Sequence, residues 1–443
     1  MNIIYVKKRR KLGYGFPALD ASGDNFQAFT DAVTKYTNDN TSQSNTNTSV
    51  IFSDDENTSP TYWTVDSSYR YARGAVDKNG IVFVAPRSNL SCFTIDTSND
   101  DIDIFDHPTT SFSNTSYWGS FSKFNHSMYS PSDDIMYSFG DYAGKVLKYT
   151  HSNFTFDEIT LAGSFAKISK TIWYDGVIYC FREADTGNRV NTIWTGDTST
   201  DTWTYKSVTN GLENSNAVAY QLGPGGYVYR FGLNKIEKIQ LNGAGNNVTA
   251  SVLDTYTDTD GLGYYGPVDN LSSCLGPDGY MYIFPSSRTS AGNNDSDYFI
   301  MKFDPFNETY EMISMKRSTL TEGDTVPGNN SETIQPQLCP DGKIMVNCYY
   351  GRYHWNRGAW RETKNPGLWN PSSGEWEATP SWGTIPSQWG LHLRVGIGKK
   401  GNMYLSPARH RLNSTTGYYE AALKFRDDAD VAPPKEFFAS SIL

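Results

Sequence analysis

The chain has 443 residues, a formal charge of −10 and a pI near 5.2, a balance that excludes a general nucleic-acid binder, whose affinity rests on neutralising phosphates. No apolar run approaches the ~20 residues needed to cross a bilayer as a helix, and the few residues before the basic run at the N-terminus are too short for a secretory leader. Charged residues make up 19 % and aromatics 14 %, which together with abundant Ser, Thr, Asn and Gly points to a β-rich protein with long polar loops.

The first 49 residues differ from the rest. An arm to about Gly15 carries the basic run Lys7, Lys8, Arg9, Arg10 and Lys11, read as a solvated arm or docking segment rather than a localisation signal. From about Asn25 to Tyr36 the spacing predicts a short amphipathic helix, with Phe26, Phe29, Val33 and Tyr36 on one face and Asp24 as N-cap. Residues 37–49 are almost wholly Thr, Asn, Ser, Asp and Gln; they lack the apolar surface to order themselves and read as a linker.

A strand pair follows at Val50–Asp54 and Thr61–Val65 with no repeat strand before it. The repeats proper then begin. A turn-plus-strand phrase recurs as Gly80–Phe83, Asp134–Tyr137, Gly176–Tyr179, Gly226–Tyr229, Gly279–Tyr282, Gly342–Met345 and Gly401–Tyr404. Its third residue is Val, Ile or Met and its fourth is aromatic or Met. The turn is often close to Gly-Pro-Asp-Gly, in which Pro fixes φ and Gly supplies φ > 0. An outer hairpin accompanies the phrase: Phe299–Tyr310, Leu368–Trp376 and Ile193–Trp203 each run from an apolar strand through a polar turn to a returning aromatic. A repeat of roughly 50 residues with four strands per unit predicts an all-β, seven-bladed β-propeller preceded by an N-terminal arm and short helix. The ring is residues 50–443, and at least one strand of 50–65 is expected to pair with the last blade, near Leu391–Gly396 and Asn402–Ser406.

The strand, Asp/Asn-Pro turn and Trp/Tyr hairpin resembles that of kelch-type propellers, including the galactose-oxidase ring, over about residues 50–440. The kelch double glycine is missing, so the resemblance implies architecture only. The leaderless helix, polar linker and Asn/Thr/Tyr-rich propeller are also similar in style to structural proteins of phage and virus particles.

Chemistry-bearing motifs are sparse. The six histidines form no HxH, HExxH or i, i+4 pair, and no GxSxG or Walker A motif occurs. Arg70, Arg73, Arg182, Arg230 and Arg394 come from different repeats and are candidates for a ring at the pore, with ordinary polar contacts as the simpler reading. Asp100, Asp101 and Asp103, and Asp254, Asp258 and Asp260, are read as solvated loop carboxylates rather than calcium ligands. The five cysteines, Cys92, Cys180, Cys274, Cys339 and Cys348, fall in or beside strands as buried free thiols. The segment Tyr349–Trp389 holds six of the 11 Trp. Within it Tyr353, Trp355, Arg357, Trp360 and Arg361 are the candidate binding residues, because exposed Trp, Tyr and Arg dominate binding hot spots.

The sequence therefore predicts a non-enzymatic virion component without cofactor, metal, nucleic acid or membrane. Its N-terminal segment is expected to anchor it, in multiple copies, to other virion proteins, with a host-surface glycan as a second partner. A carbohydrate-binding or carbohydrate-cleaving propeller and a kelch-like adaptor are the rival readings.

Overall fold

The computed structural model describes residues 31, 34–35, 48–55, 74–85, 91–106, 124–130, 133–140, 145–161, 168–182, 190–212, 218–232, 235–255, 268–287, 298–315, 331–350, 367–377, 394–398, 401–413 and 417–425. Strand β1 is Thr48–Asp55. The strands then come in fours. β2 (Ala75–Val76), β3 (Ile81–Val84), β4 (Ser91–Asp96) and β5 (Asp101–Asp106) form the first sheet. β6 (Phe124–Ser130), β7 (Ile135–Gly140), β8 (Lys145–Thr150) and β9 (Thr155–Thr160) form the next. β10 (Ile168–Tyr174), β11 (Val177–Arg182), β12 (Val190–Asp197) and β13 (Thr202–Leu212) are followed by β14 (Ala219–Leu222), β15 (Tyr227–Phe231), β16 (Lys235–Gln240) and β17 (Val248–Thr255). These eight form one sheet, in which two antiparallel runs of four are stitched by the short parallel pairing Val208↔Val248 and Thr209↔Thr249. β18 (Val268–Leu275), β19 (Met281–Ser287), β20 (Tyr298–Asp304) and β21 (Thr309–Met315) follow, then β22 (Ser331–Leu338), β23 (Ile344–Tyr350), β24 (Gly367–Asn370) and β25 (Glu375–Glu377). β26 (Arg394–Ile397), β27 (Met403–Asn413) and β28 (Gly417–Phe425) take β1 as their fourth strand.

The first strands of these units are neighbours in a closed circuit: β2, β6, β10, β14, β18, β22, β26 and back to β2. The molecule is an all-β propeller. β1 pairs antiparallel with β28 from Thr48↔Phe425 to Asp55↔Tyr419, so the two ends of the ring share one sheet and no outer edge of β28 is left open. Thr61–Val65, the other half of the displaced strand pair, lies outside the described residues.

Local chemistry explains the repeat. In the turns opened by Asp77, Gly276, Cys339 and Gly398 the amide three residues on returns to the opening carbonyl, and the opening amide bonds the carbonyl four residues on. The residue three on is Gly80, Gly279, Gly342 or Gly401, at φ 81° to 85°. This is the left-handed residue that joins a type I turn to a hairpin. Asp134 holds the same place at φ 63°, a conformation Asp tolerates better than most residues. The third and fourth side chains of the phrase pack into the sheet interfaces: Val82, Phe83, Met136, Tyr137, Ile178, Tyr179, Val228, Tyr229, Met281, Tyr282, Ile344 and Met345 are all buried.

Because each unit is a meander, its first-to-second and third-to-fourth connections lie on one face of the disc. Its second-to-third connection and the passage to the next unit lie on the other. The first, the turn face, has connections of a few residues, such as 97–100, 151–154, 198–201 and 305–308. The second, the loop face, joins strand ends across long stretches, such as 107–123, 316–330, 351–366 and 378–393. β1 begins, and β28 ends, on the turn face. Asp31, Thr34 and Lys35 are helical, and the Thr34 hydroxyl donates to the Pro277 carbonyl in the turn between β18 and β19, also on the turn face.

Candidate functional site

The described side chains converge most densely on the turn face, where each sheet grips the next. The third-to-fourth turns open on an Asx side chain that caps its own turn: Asp96 Oδ1 accepts from the Ser98 amide at 2.9 Å, Asp197 Oδ1 from Ser199 at 2.9 Å, Asp304 Oδ1 from Phe306 at 2.9 Å and Asn370 Oδ1 from Ser372 at 3.0 Å. Four residues later the backbone turns left-handed, at Asp100 (φ 66°), Asp201 (φ 56°), Glu308 (φ 56°) and Gly374 (φ 67°). The three acids at this place reach the preceding sheet. The Tyr229 hydroxyl donates to Glu308 Oε1 at 3.0 Å and to the Pro305 carbonyl at 3.1 Å, and Lys238, which faces Tyr229 across the β15–β16 pair, bonds the same carboxylate. Tyr404 donates to Asp100 Oδ1 at 2.7 Å, which joins the last sheet to the first. Lys148, opposite Tyr137, bonds Asp201 Oδ2 at 2.7 Å.

The exceptions follow the same chemistry. Gly374 offers no carboxylate, and the preceding Tyr282 and Lys302 turn instead to Asp278 of their own sheet, at 2.8 and 3.4 Å. Phe83 has no hydroxyl, and the left-handed residue of the facing turn is Phe154; here Phe83 stacks on Tyr149 with ring centroids 4.4 Å apart. Burial first, and the facing carboxylates second, push the Tyr137, Tyr229 and Tyr282 phenols far above their ordinary range. They act as hydrogen-bond donors that stay protonated. Asp304 is held below the usual carboxylate range: its partial burial works the other way, but the Asn307 side chain and the Phe306 and Asn307 amides outweigh it.

Under the loop face lies a buried ion pair. Arg230 near the end of β15 is fully buried; its guanidinium bonds Glu237 on β16, and its Nε donates to the Tyr220 hydroxyl at 3.1 Å. Lys235 approaches the other Glu237 oxygen at 3.6 Å. Burial alone would lower the guanidinium's pKa, but Tyr220 and Glu237 overcome it and hold it charged. Arg230 is thus enclosed within its own sheet and is not a pore arginine, in line with the simpler reading of ordinary polar contacts. Arg182 ends β11 and Arg394 opens β26, while Arg70 and Arg73 lie outside the described residues.

Other sequence candidates are placed as follows. Asp100 is engaged by Tyr404, Asp101 accepts from the Asn99 side chain and Asp254 accepts from the Thr255 amide at 2.8 Å. Asp258 and Asp260 lie outside the described residues. Among the described residues no three His, Cys, Asp or Glu side chains gather as a metal site would require. Cys92, Cys180, Cys274 and Cys339 are buried free thiols, and burial pushes the Cys180 thiol far up. Trp369 is fully buried in the outer hairpin. Gln221 on the inner strand β14 is fully buried with neither amide atom paired to another protein group. The candidate binding residues Tyr353, Trp355, Arg357, Trp360 and Arg361 lie outside the described residues, as do the anchor residues Lys7, Lys8, Arg9, Arg10, Lys11, Phe26, Phe29, Val33 and Tyr36. The strand ends that flank 351–366, Tyr350 and Gly367, are on the loop face. Sequence reasoning missed the acid four residues after each Asx, although Asp96/Asp100, Asp197/Asp201 and Asp304/Glu308 repeat it visibly.

No protein-family model and no curated protein matches the sequence. Solved structures do. Virginiamycin B lyase from Staphylococcus aureus superposes with a TM-score of 0.51 at 12% identity, covering 85% of this chain and 99% of that one. A catalytically inactive form of the same enzyme with quinupristin gives 0.49 at 14% identity, covering 80% and 94%. A fungal alcohol oxidase of the AA5 family, in complex with copper, gives 0.49 at 11% identity, covering 83% and 78%. What this chain shares with the lyase, at so low an identity, is its fold, the all-β propeller.

Proposed function

We propose that this protein is a structural component of a virus particle, a capsid- or tail-associated propeller of a tailed phage that serves as a docking, decoration or host-attachment platform. In this reading the ring has seven blades of kelch type, one for each inner strand of the closed circuit. The observation that carries the proposal is the division of labour between faces. The N-terminal segment meets the ring on the turn face, and the strand ends that hold the Trp- and Arg-rich segment lie on the loop face. A ring held to a particle through residues 1–47 would turn its loop face outward.

The partners are then other virion proteins, bound through Lys7–Lys11 and the helix face Phe26, Phe29, Val33 and Tyr36. Multiple copies would raise the effective concentration of the outward face. The outward partner is a host-surface glycan, met by Tyr353, Trp355, Arg357, Trp360 and Arg361. The protein works in the virion, without catalysis or cofactor.

The aromatic and arginine content of 351–366 equally favours a carbohydrate-binding or carbohydrate-cleaving propeller with no particle role. The test is incorporation. Full-length protein and a form beginning at Thr48, which keeps β1 whole, are expressed with the particle. Full-length protein is expected to co-purify with particles and the shortened form to stay free. Equal incorporation refutes anchoring, and glycan turnover by purified protein refutes the non-enzymatic reading.

A further inference from the structure

We infer that the turn Gly276–Gly279, between β18 and β19, is the docking surface for the protein's own N-terminal helix, occupied in cis. Three observations meet there. The helical Thr34 is half-buried and its hydroxyl bonds the Pro277 carbonyl. The turn's own return bonds run through Gly276 and Gly279 and leave that carbonyl to the hydroxyl, while the proline ring holds φ fixed. The point where the N-terminal segment joins the ring, Thr48 beside Phe425, is on this same face. The connecting residues 36–47 span up to about 40 Å when extended.

The surroundings of the turn are firm. Asp278 is held by Tyr282 at 2.8 Å and Lys302 at 3.4 Å, and Lys302 lies over the Tyr280 ring at 4.2 Å from its centroid. Among the described residues, this is the sheet whose tyrosine and lysine both close on their own turn; in the β6–β9 sheet Tyr137 likewise bonds Asp133 of its own turn, but Lys148 reaches Asp201 of the next sheet. The turn whose Asp278 takes up this pair is the turn that receives the helix. The consequence for the chain is positional: residues upstream of Asp31, the basic run included, leave from a fixed point on the turn face rather than from the end of a free tether. This inference goes beyond the virion reading and does not depend on it.

Hydrogen exchange on the full-length protein tests it. Amides of 31–36 are expected to exchange slowly, at a rate independent of protein concentration. Thr34→Val keeps the branched shape and removes the donor; it should speed exchange there about two- to tenfold, the effect of one net hydrogen bond, while β18 and β19 stay unchanged. Thr34→Ser restores the hydroxyl and should restore protection. Equal exchange in wild type and Thr34→Val overturns the dock. Protection that grows with protein concentration overturns its cis character and assigns the surface to a second copy. Neither outcome depends on whether the protein enters particles, so failure here and failure of the anchoring reading are separable.

Discussion

The two faces of the disc are made by the same strands and differ in what joins them. On the turn face the connections are short, their backbone is pinned by Asx caps and left-handed residues, and acids in one sheet's turn are held by Tyr and Lys of the sheet before. On the loop face the strand ends are joined by stretches such as 107–123 and 351–366, with no common length and no common motif. The comparison teaches where repetition is physically required. Adjacent sheets must meet at one spacing all round the ring, and a turn that reaches its neighbour can vary only if its partner varies with it. A connection under no such constraint is free to diverge, and binding segments accumulate in connections of that kind.

The largest test sets closure against decoration. Deleting 48–55 removes the fourth strand of the closing sheet and opens the edge of β28; the protein is expected to lose its cooperative thermal transition altogether. Deleting eight residues from within 351–366 leaves every described strand whole and is expected to change stability by only a few tenths of a kcal/mol, the closure entropy of a shorter connection. Calorimetry on both decides: an unchanged Tm for the first deletion, or collapse of the second, would erase the distinction between the faces.

Next comes the ion pair that, among the described residues, underpins the loop face. Glu237→Ala leaves the buried Arg230 charge without its carboxylate and should cost about 3–5 kcal/mol in urea unfolding, whereas Arg230→Met with Glu237→Leu should recover most of the loss. If the double variant is as unstable as the single one, the pair is not the cause.

The turn-face clasp is worth less per contact. Glu308→Ala removes the bonds from Tyr229 and Lys238 and leaves an alanine in the left-handed region; about 2 kcal/mol is expected. Glu308→Gly removes the same bonds but relieves the backbone, so it should be milder by about 1 kcal/mol. Identical losses would mean that the conformation at Glu308 carries no strain.

Much of the ring was legible because its periodicity is written in core residues. The Val/Ile/Met and aromatic positions of the phrase are those found buried, and the outer hairpins pair as Gly196↔Trp203, Trp369↔Trp376 and Phe303↔Tyr310. Strand ends were less so: β14 begins at Ala219, and nothing in the polar residues before it marks where pairing starts. The first glycine of the Gly-x-x-Gly turns has a reason of its own that the sequence did not show. At Gly223, Gly276 and Gly398 a Cβ would strike the ring of the tyrosine six residues on, Tyr229, Tyr282 or Tyr404, so close approach and not φ requires glycine there. The clasp escaped because it joins residues tens to hundreds of positions apart, and only the ring brings Asp100 to Tyr404. Arg230 escaped for the opposite reason: a charged residue in an apolar strand looks like an exposed one until its partner Glu237 is placed opposite.

The smallest effect concerns how a turn-face acid tolerates burial. Asp77 opens the β2–β3 turn, and its Oδ1 accepts from the Asn79 and Ile81 amides, both at 2.8 Å. Burial raises its pKa; the two amides and His151 pull it down, Asp134 adds to the rise, and the net direction is up. The folded protein therefore holds this proton more tightly than the unfolded chain. Its contribution to stability is greatest below the unfolded value of about 3.9 and declines as pH rises from there through the folded value. Asp77→Asn keeps an Oδ1 for both amides and has no proton to lose. The variant should match wild type near pH 3 and exceed it at neutral pH. Urea unfolding at steps between pH 3 and 7 reads the difference, and parallel curves across that range would show that burial of Asp77 costs the turn face nothing.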